Sequence, residues 1–377
     1  AHPNVTIDYQ ALPGDYPTVV RTNAAAGTLG DVIYMQNLVF EGLAVGGSLQ
    51  PIDTLVQRDK VNLKQWYDNG PAAVRLNGKL WGLPARGQIQ NCYLYYNLDA
   101  LGRAGISEPT DAWTLNDLVN AADKLTIRDG SRFGYSTSWG TFQSTTAVIR
   151  RFGGELLSAD GKKCLADSPQ ALAAMEWHWD LWHRKQIMAP KGSNADEFGK
   201  GAVAMAGQML AGDRGAVRSA VKDSFKWSLI LLPKGPTGKL GADLSVAPMG
   251  LNATAKAVDQ AWQVLQWFTD HETGVALALQ ATGSNTPGMR RDVYCDDRVL
   301  NDPNFPREMM DRICKAMEVS APMVAYSVPA NYRQPELNEV IAKHVNAFHD
   351  NTAAPTAATM RAFTAEVQAV LDQPRAG

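Results

Sequence analysis

Leu76-Asn77-Gly78-Lys79-Leu80-Trp81-Gly82-Leu83-Pro84, then Tyr95-Tyr96-Asn97-Leu98-Asp99 and Ala112-Trp113-Thr114-Leu115-Asn116-Asp117-Leu118, is the stretch on which the fold assignment turns. Residues 93–96 read as a strand, being rich in aromatic side chains. Thr114 with Asp117 three residues on is an N-cap signal. Leu118, Ala121, Ala122 and Leu125 then fall on one helical face.

The same alternation continues outward in both directions. Asp31-Val-Ile-Tyr-Met35 reads as a buried strand, and residues 133–135, 203–205 and 227–232 as further strands. Residues 5–9 read as a strand near the start. Ser168-Pro169 places a cap and a first-turn proline ahead of a stripe of Leu172, Met175, Trp179 and Trp182. Val258, Ala261, Trp262, Leu265 and Phe268 form another stripe. Leu337, Val340, Ile341, Val345 and Phe348 form the next, and Met360, Phe363, Val367 and Val370 the last. Strands interleaved with helices predict an α/β fold. Residues 232–239 and 282–288 are dense in turn formers and predict exposed loops.

A chain of 377 residues has room for two domains. Its 45% apolar and 20% charged residues make a globular composition, not a disordered one. Lys and Arg total 36 against 38 Asp and Glu, so the balance gives no case for nucleic acid. The longest apolar runs fall far short of the ~20 residues of a membrane span. The opening Ala1-His-Pro-Asn lacks the basic and apolar regions of a signal peptide.

Signatures of catalysis are absent from the sequence. There is no phosphate-cradling G-x-x-x-x-G-K-[ST] loop and no G-x-G-x-x-G after a strand. Gly134-Tyr-Ser-Thr-Ser138 lacks the second glycine of a nucleophile elbow. His271-Glu272 begins like a zinc-protease motif, but Val275 stands where the second histidine belongs. His178 and His183 are five apart, off the i, i+4 spacing that stacks ligands on one helix face. They read as part of a core helix. Of four cysteines, none forms a C-x-x-C pair. Cys295 and Cys314 fit either a disulfide or two buried thiols.

The quoted stretch resembles the family 1 extracellular solute-binding proteins of ABC importers, the maltose-binding-protein-like group. That family carries a "GK-L/I-Y/W-G-x-P" hairpin, a strand ending in "YYN" and a "W-T-x-x-E/D" helix start, in this order. Gly30 to Met35 is similar to its "PDV-x-x-M" strand, and Leu49-Gln-Pro-Ile-Asp53 to its "L-x-P-L/I-D" element. Phe198-Gly-Lys-Gly-Ala-Val-Ala-Met205, Leu232-Pro-Lys-Gly-Pro-Thr-Gly238 and Ala261-Trp262 with Trp267-Phe-Thr269 extend the match. Two departures stand out. A βα unit of roughly 30 residues would precede Pro3 in the family. Gln208-Met209-Leu210 also replaces an aromatic platform.

The resemblance implies a two-lobed α/β periplasmic-binding-protein fold (type II), with a ligand cleft between lobes joined by hinge crossovers near Gln90, Ala247 and Asn301. Residues 1–89 and 248–301 would form the N-terminal lobe, without its first strand and helix. Residues 90–247 and 302–377 would form the C-terminal lobe. The implied function is capture of a sugar or oligosaccharide and its delivery to ABC permease membrane subunits, by a non-enzymatic monomer with no cofactor and no metal. The implied place is the periplasm, or outside the membrane on a lipid anchor, with the targeting segment removed. By position in the matched motifs, the ligand-binding candidates are Gln36, Asn37, Arg86, Gln88, Gln90, Asn91, Asp243, Ser245, Asn285 and Arg290, with Trp139 and Phe142 as stacking platforms. If Arg86 converges with Arg290 or Arg291, a phosphorylated or acidic ligand such as glycerol phosphate or a uronate becomes the alternative. A glycosidase with two carboxylates is the competing enzyme class.

Overall fold

Thr114 caps the helix Leu115–Leu125 through its hydroxyl, and Asp117 returns the bond to the Thr114 backbone. Ser168 caps Pro169–His183 through its hydroxyl, which accepts the Ala171 amide with no side chain to return the bond. These local signals hold in a computed structural model that describes residues 5–12, 14, 16–190, 194–280, 286–320 and 328–375.

Among these residues the strands are β1 (Val32–Tyr34), β2 (Leu49–Gln50), β3 (Arg75–Leu76), β4 (Lys79–Leu80), β5 (Leu83–Gln90), β6 (Tyr93–Asn97), β7 (Phe133–Thr137), β8 (Val203–Met209), β9 (Trp227–Leu231) and β10 (Asp243–Asn252). They build two main sheets, one for each lobe. In the first, β10 pairs antiparallel with β1, β2 and β5. In the second the order is β7-β8-β6-β9, with β7 parallel to β8 and the other pairs antiparallel. Strands β3 and β4 form the small hairpin of the deciding motif.

Two short passages carry the chain between the sheets. β5 leads to β6 through Asn91 and Cys92, and β9 leads to β10 through residues 232–242. The second passage therefore lies earlier than the sequence reading placed it, because Ala247 is inside β10. A third passage runs from the helix Asp297–Leu300 to the helix Arg307–Ser320, where Arg312 donates to Tyr96 Oη, Ser228 Oγ and the Leu229 carbonyl. Cys295 and Cys314 are joined in a disulfide across this passage.

Three readings change. Residues 5–9 join no sheet among the described residues, and Ile7 and Tyr9 are exposed, so that stretch lacks the ladder partner a strand needs. In Pro169–His183 the buried face is Ala171, Ala174, Met175, His178 and Leu181 rather than the leucine–tryptophan stripe. Small alanines let neighbouring helices approach closely, while the larger tryptophans are left half-buried at the flanks. Neither loop is wholly exposed: Leu232, Pro233 and Gly235 are buried in the first, and in the second Thr286, Pro287 and Gly288 are buried while 282–285 lie outside the described residues.

His178 is fully buried, stacked on Trp139 at 4.7 Å, and neither ring nitrogen has a hydrogen-bond partner among the described residues. Burial, reinforced by the Arg151 charge, pushes its pKa down to about 3 from 6.5. A histidine with a depressed folded pKa takes up its proton on unfolding. Its contribution to stability is complete above pH 6.5 and is lost as the pH falls towards 3. His178→Phe is expected to flatten the decline of melting temperature in that acid window. An unchanged pH profile would show that His178 does not drive the decline.

Candidate functional site

The alternation of β5 and the register of its partner decide which side chains meet. Gln90 lies opposite Asp243, Gln88 opposite Ser245, and Arg86 opposite Ala247. Directly opposed residues share a face, so these six positions form one continuous surface of the two-stranded ribbon. A pocket of about 120 Å³ opens on it, lined by Tyr34, Arg86, Gly87, Gln88, Ser245, Ala247 and Thr286. The register shifts between Ala247 and Pro248, so the strand is irregular where the pocket lies.

Arg86 is held from two sides. Its Nε donates to the Thr286 carbonyl at 3.3 Å, and its side chain hydrogen-bonds Tyr34. Burial raises the Tyr34 pKa, partly offset by the neighbouring guanidinium, so the ring stays a neutral phenol. Gln88 is buried and its Oε1 accepts from the Gly212 amide at 3.0 Å, reaching the turn that follows β8 of the second sheet. One side chain thus lines the pocket and bridges the two sheets.

Gly87 is required by space. A Cβ there would lie 2.3 Å from Met289 Cγ, and Met289 is fully buried. The Gly87 amide donates to Pro287 at 2.9 Å, and its carbonyl accepts from the Tyr294 hydroxyl. Gly87→Ala is expected to cost about 1–3 kcal/mol through overpacking and to displace Arg86 next door. Chemical denaturation checks the first effect. A cost below about 0.5 kcal/mol, the ordinary surface range, would mean that Met289 yields freely.

The other candidates are dispersed. Gln36 precedes the helix Asn37–Val45, and its carbonyl accepts the Val39 and Phe40 amides. Asn37 starts that helix, but its side chain and all of Asn285 lie outside the described residues. Gln90 is half-buried. Asp243 is fully buried, 4.0 Å from Arg150. Asn91 has a φ of 57° and gives its carbonyl to Arg151.

The stacking pair is turned inward. Trp139 donates to the Val345 carbonyl at 2.9 Å and packs edge-on against Trp182. Phe142 is fully buried among helices, so its ring offers no face to a sugar in this conformation. Arg290 is likewise committed, with both ends of its guanidinium on Asp292 (2.9 and 2.7 Å) and its plane over Trp66. Arg291 reaches Asp68 and lies over Tyr67. The condition set for an acidic ligand, Arg86 converging with Arg290 or Arg291, is not met in this conformation, and Arg86 alone of the three lines the pocket.

Two contributors escaped the sequence reading. Tyr34 carried a usable signal, because Ile33 reads as buried and its strand neighbour must face the other way. Thr286 carried none beyond belonging to a polar loop. Among the described residues, no group of three or more His, Cys, Asp or Glu is placed to hold a metal ion. No helix there is long and apolar enough to cross a membrane.

Comparison with known proteins adds a frame. Residues 1–275 match the family profile described as bacterial extracellular solute-binding protein. A Brucella abortus (strain 2308) protein, named as a candidate binding protein, is 23% identical over 279 residues, covering 71% of this chain. The chain spans 65% of the length of that relative. Among solved structures, UgpB from Mycobacterium tuberculosis, in complex with glycerophosphocholine, aligns with a TM-score of 0.81 at 17% identity, over 98% of this chain and 91% of its own. An ABC transporter solute-binding protein from Thermotoga lettingae, bound with alpha-D-tagatose, gives 0.77 at 20%, over 94% and 89%. Maltose-bound T. maritima MalE3 gives 0.76 at 21%, over 94% and 88%. At these identities the structural likeness establishes the two-lobed fold.

Proposed function

The chain belongs to the bacterial extracellular solute-binding proteins, and from that premise we propose that it captures a carbohydrate between its lobes and delivers it to the membrane subunits of an ABC importer. The observation that carries this reading is the polar pocket on the β5–β10 ribbon, where Arg86, Tyr34, Gln88, Ser245 and Thr286 face one space. Guanidinium, phenol, amide and hydroxyl groups are the donors and acceptors that match the hydroxyl edges of a sugar. Tagatose and maltose in the solved relatives support the substrate class.

In this reading the lobes are residues 1–90 with 243–301, and 91–242 with 302–377. The protein works as a monomer in the periplasm or anchored by lipid outside the membrane, and it carries out no catalytic step. Ligand contacts come from Arg86, Gln88 and Ser245 first. Gln36, Asn37, Gln90, Asn91, Asp243 and Asn285 come into reach as the lobes close, because a ligand that bridges both lobes shifts the population towards the closed state. The presence of Arg86 in the pocket also favours a second ligand class, phosphorylated or acidic solutes, as in the glycerophosphocholine complex.

A thermal-shift panel of mono-, di- and oligosaccharides, polyols, sugar phosphates and glycerophosphodiesters tests both. A ligand that binds only the folded state raises the melting temperature by mass action. A shift with neutral sugars supports the carbohydrate reading, and one confined to phosphates supports the second. A flat response to the whole panel refutes both.

A further inference from the structure

The helix Phe142–Arg151 ends in two consecutive arginines that do not line the pocket. Arg151 is fully buried, and its hydrogen bonds run to main-chain carbonyls. Its Nη2 donates to the Asn91 carbonyl at 3.5 Å, in the passage from β5 to β6, and its Nε donates to the Leu240 carbonyl at 3.2 Å, in the passage from β9 to β10. One guanidinium therefore touches both crossovers. Arg150 binds Glu155 at 2.8 Å and stands 4.0 Å from Asp243, the first residue of β10.

The second crossover is bedded directly on this helix end. A Cβ at Gly241 would lie 2.3 Å from the Ala147 carbonyl, and one at Gly235 would lie 1.8 Å from the Arg151 carbonyl. Leu232 also donates to the Cys92 carbonyl at 2.6 Å, tying one crossover to the other. Burying a guanidinium carries a large desolvation cost. A position occupied at that cost, with its bonds spent on two chain passages, has a mechanical use.

We infer that Arg151, with Arg150 beside it, pins both crossovers to one helix of the second lobe, so that they move as a unit. Interlobe bending is then displaced along β5 and β10 to the register shift at Ala247 and Pro248, beside Arg86. Arg151 is a positioning residue: it touches no ligand, and it sets where the hinge lies. The inference rests on the reading of the chain as a two-lobed capture protein, but its test uses no ligand, so a blank ligand panel leaves its outcome independent.

The experiment is amide hydrogen exchange by mass spectrometry on the ligand-free full chain, together with spin-label distances between Lys79→Cys and Lys124→Cys, both exposed positions on opposite lobes. In Arg151→Met, exchange is expected to accelerate at least tenfold in peptides covering 91–92 and 232–242 together, and the distance distribution is expected to broaden. Arg151→Lys should restore part of the narrow distribution. A residue that merely fills space would lower the melting temperature and leave the distances unchanged. Loosening of one crossover alone, or of neither, overturns the inference.

If Arg151→Met does not fold, Gly241→Ala supplies the second arm, because it lifts the second crossover off the helix while keeping the arginine. Coupling predicts faster exchange at 91–92 as well. A change confined to 232–242 overturns the inference.

Discussion

Arg86→Ala is expected to weaken binding of whichever solute the panel identifies on the order of 100-fold, since a hydrogen bond to a charged group contributes up to about 3 kcal/mol. The substitution also frees Tyr34 and the Thr286 carbonyl from their shared partner. Arg86→Lys should recover only part of the loss, because an ammonium cannot hold a carbonyl, a phenol and a ligand in one planar fork. Isothermal titration of both variants against the same solute is the check. Affinity within threefold of the parent in Arg86→Ala would remove the β5–β10 pocket as the capture site.

Replacing Cys295 and Cys314 together by Ser is expected to lower stability by about 3 kcal/mol, the loop-closure effect for a cross-link of this span. The bond joins residues 19 apart, from the end of the helix Arg291–Tyr294 to the helix Arg307–Ser320. That second helix is fastened to both lobes. Glu318 accepts from the Tyr67 hydroxyl at 3.0 Å, and Arg312 reaches Tyr96 at 2.6 Å. The denaturation midpoint of the double variant, compared with that of the reduced parent, separates the bond from the side chains. A loss under 1 kcal/mol would mean that these polar contacts hold the third passage without it.

How much of this was legible depends on which physics each residue obeys. The strand at Tyr93–Asn97 and the helix after Thr114 follow from local chemistry, aromatic β preference and a capping hydroxyl, so reading them needed no neighbours. The face of the helix after Ser168 needed neighbours, because apolar residues surround it and only packing selects the alanine side. The site divides in the same way. Arg86, Gln88 and Ser245 come together through the two-residue period of paired strands, a pattern that a one-dimensional reading can follow. Trp139, Phe142 and Arg290, read as ligand contacts, find protein partners in this conformation, because side-chain type does not say whether a ring or guanidinium is satisfied inside. For Arg290 the partner, Asp292, was two residues away in plain view.

Outside the disulfide, the sulfur chemistry of the chain is quiet. Cys92 and Cys164 are buried, and burial raises both thiol pKa values, that of Cys164 to about 11. Thiols held protonated in this way react slowly with maleimides and methanethiosulfonates. The native protein is thus a clean background for site-directed conjugation. On the proposed closure of the lobes around a ligand, a pair of fluorophores on engineered surface cysteines, one on each lobe, would report capture of the solute optically without added reagents.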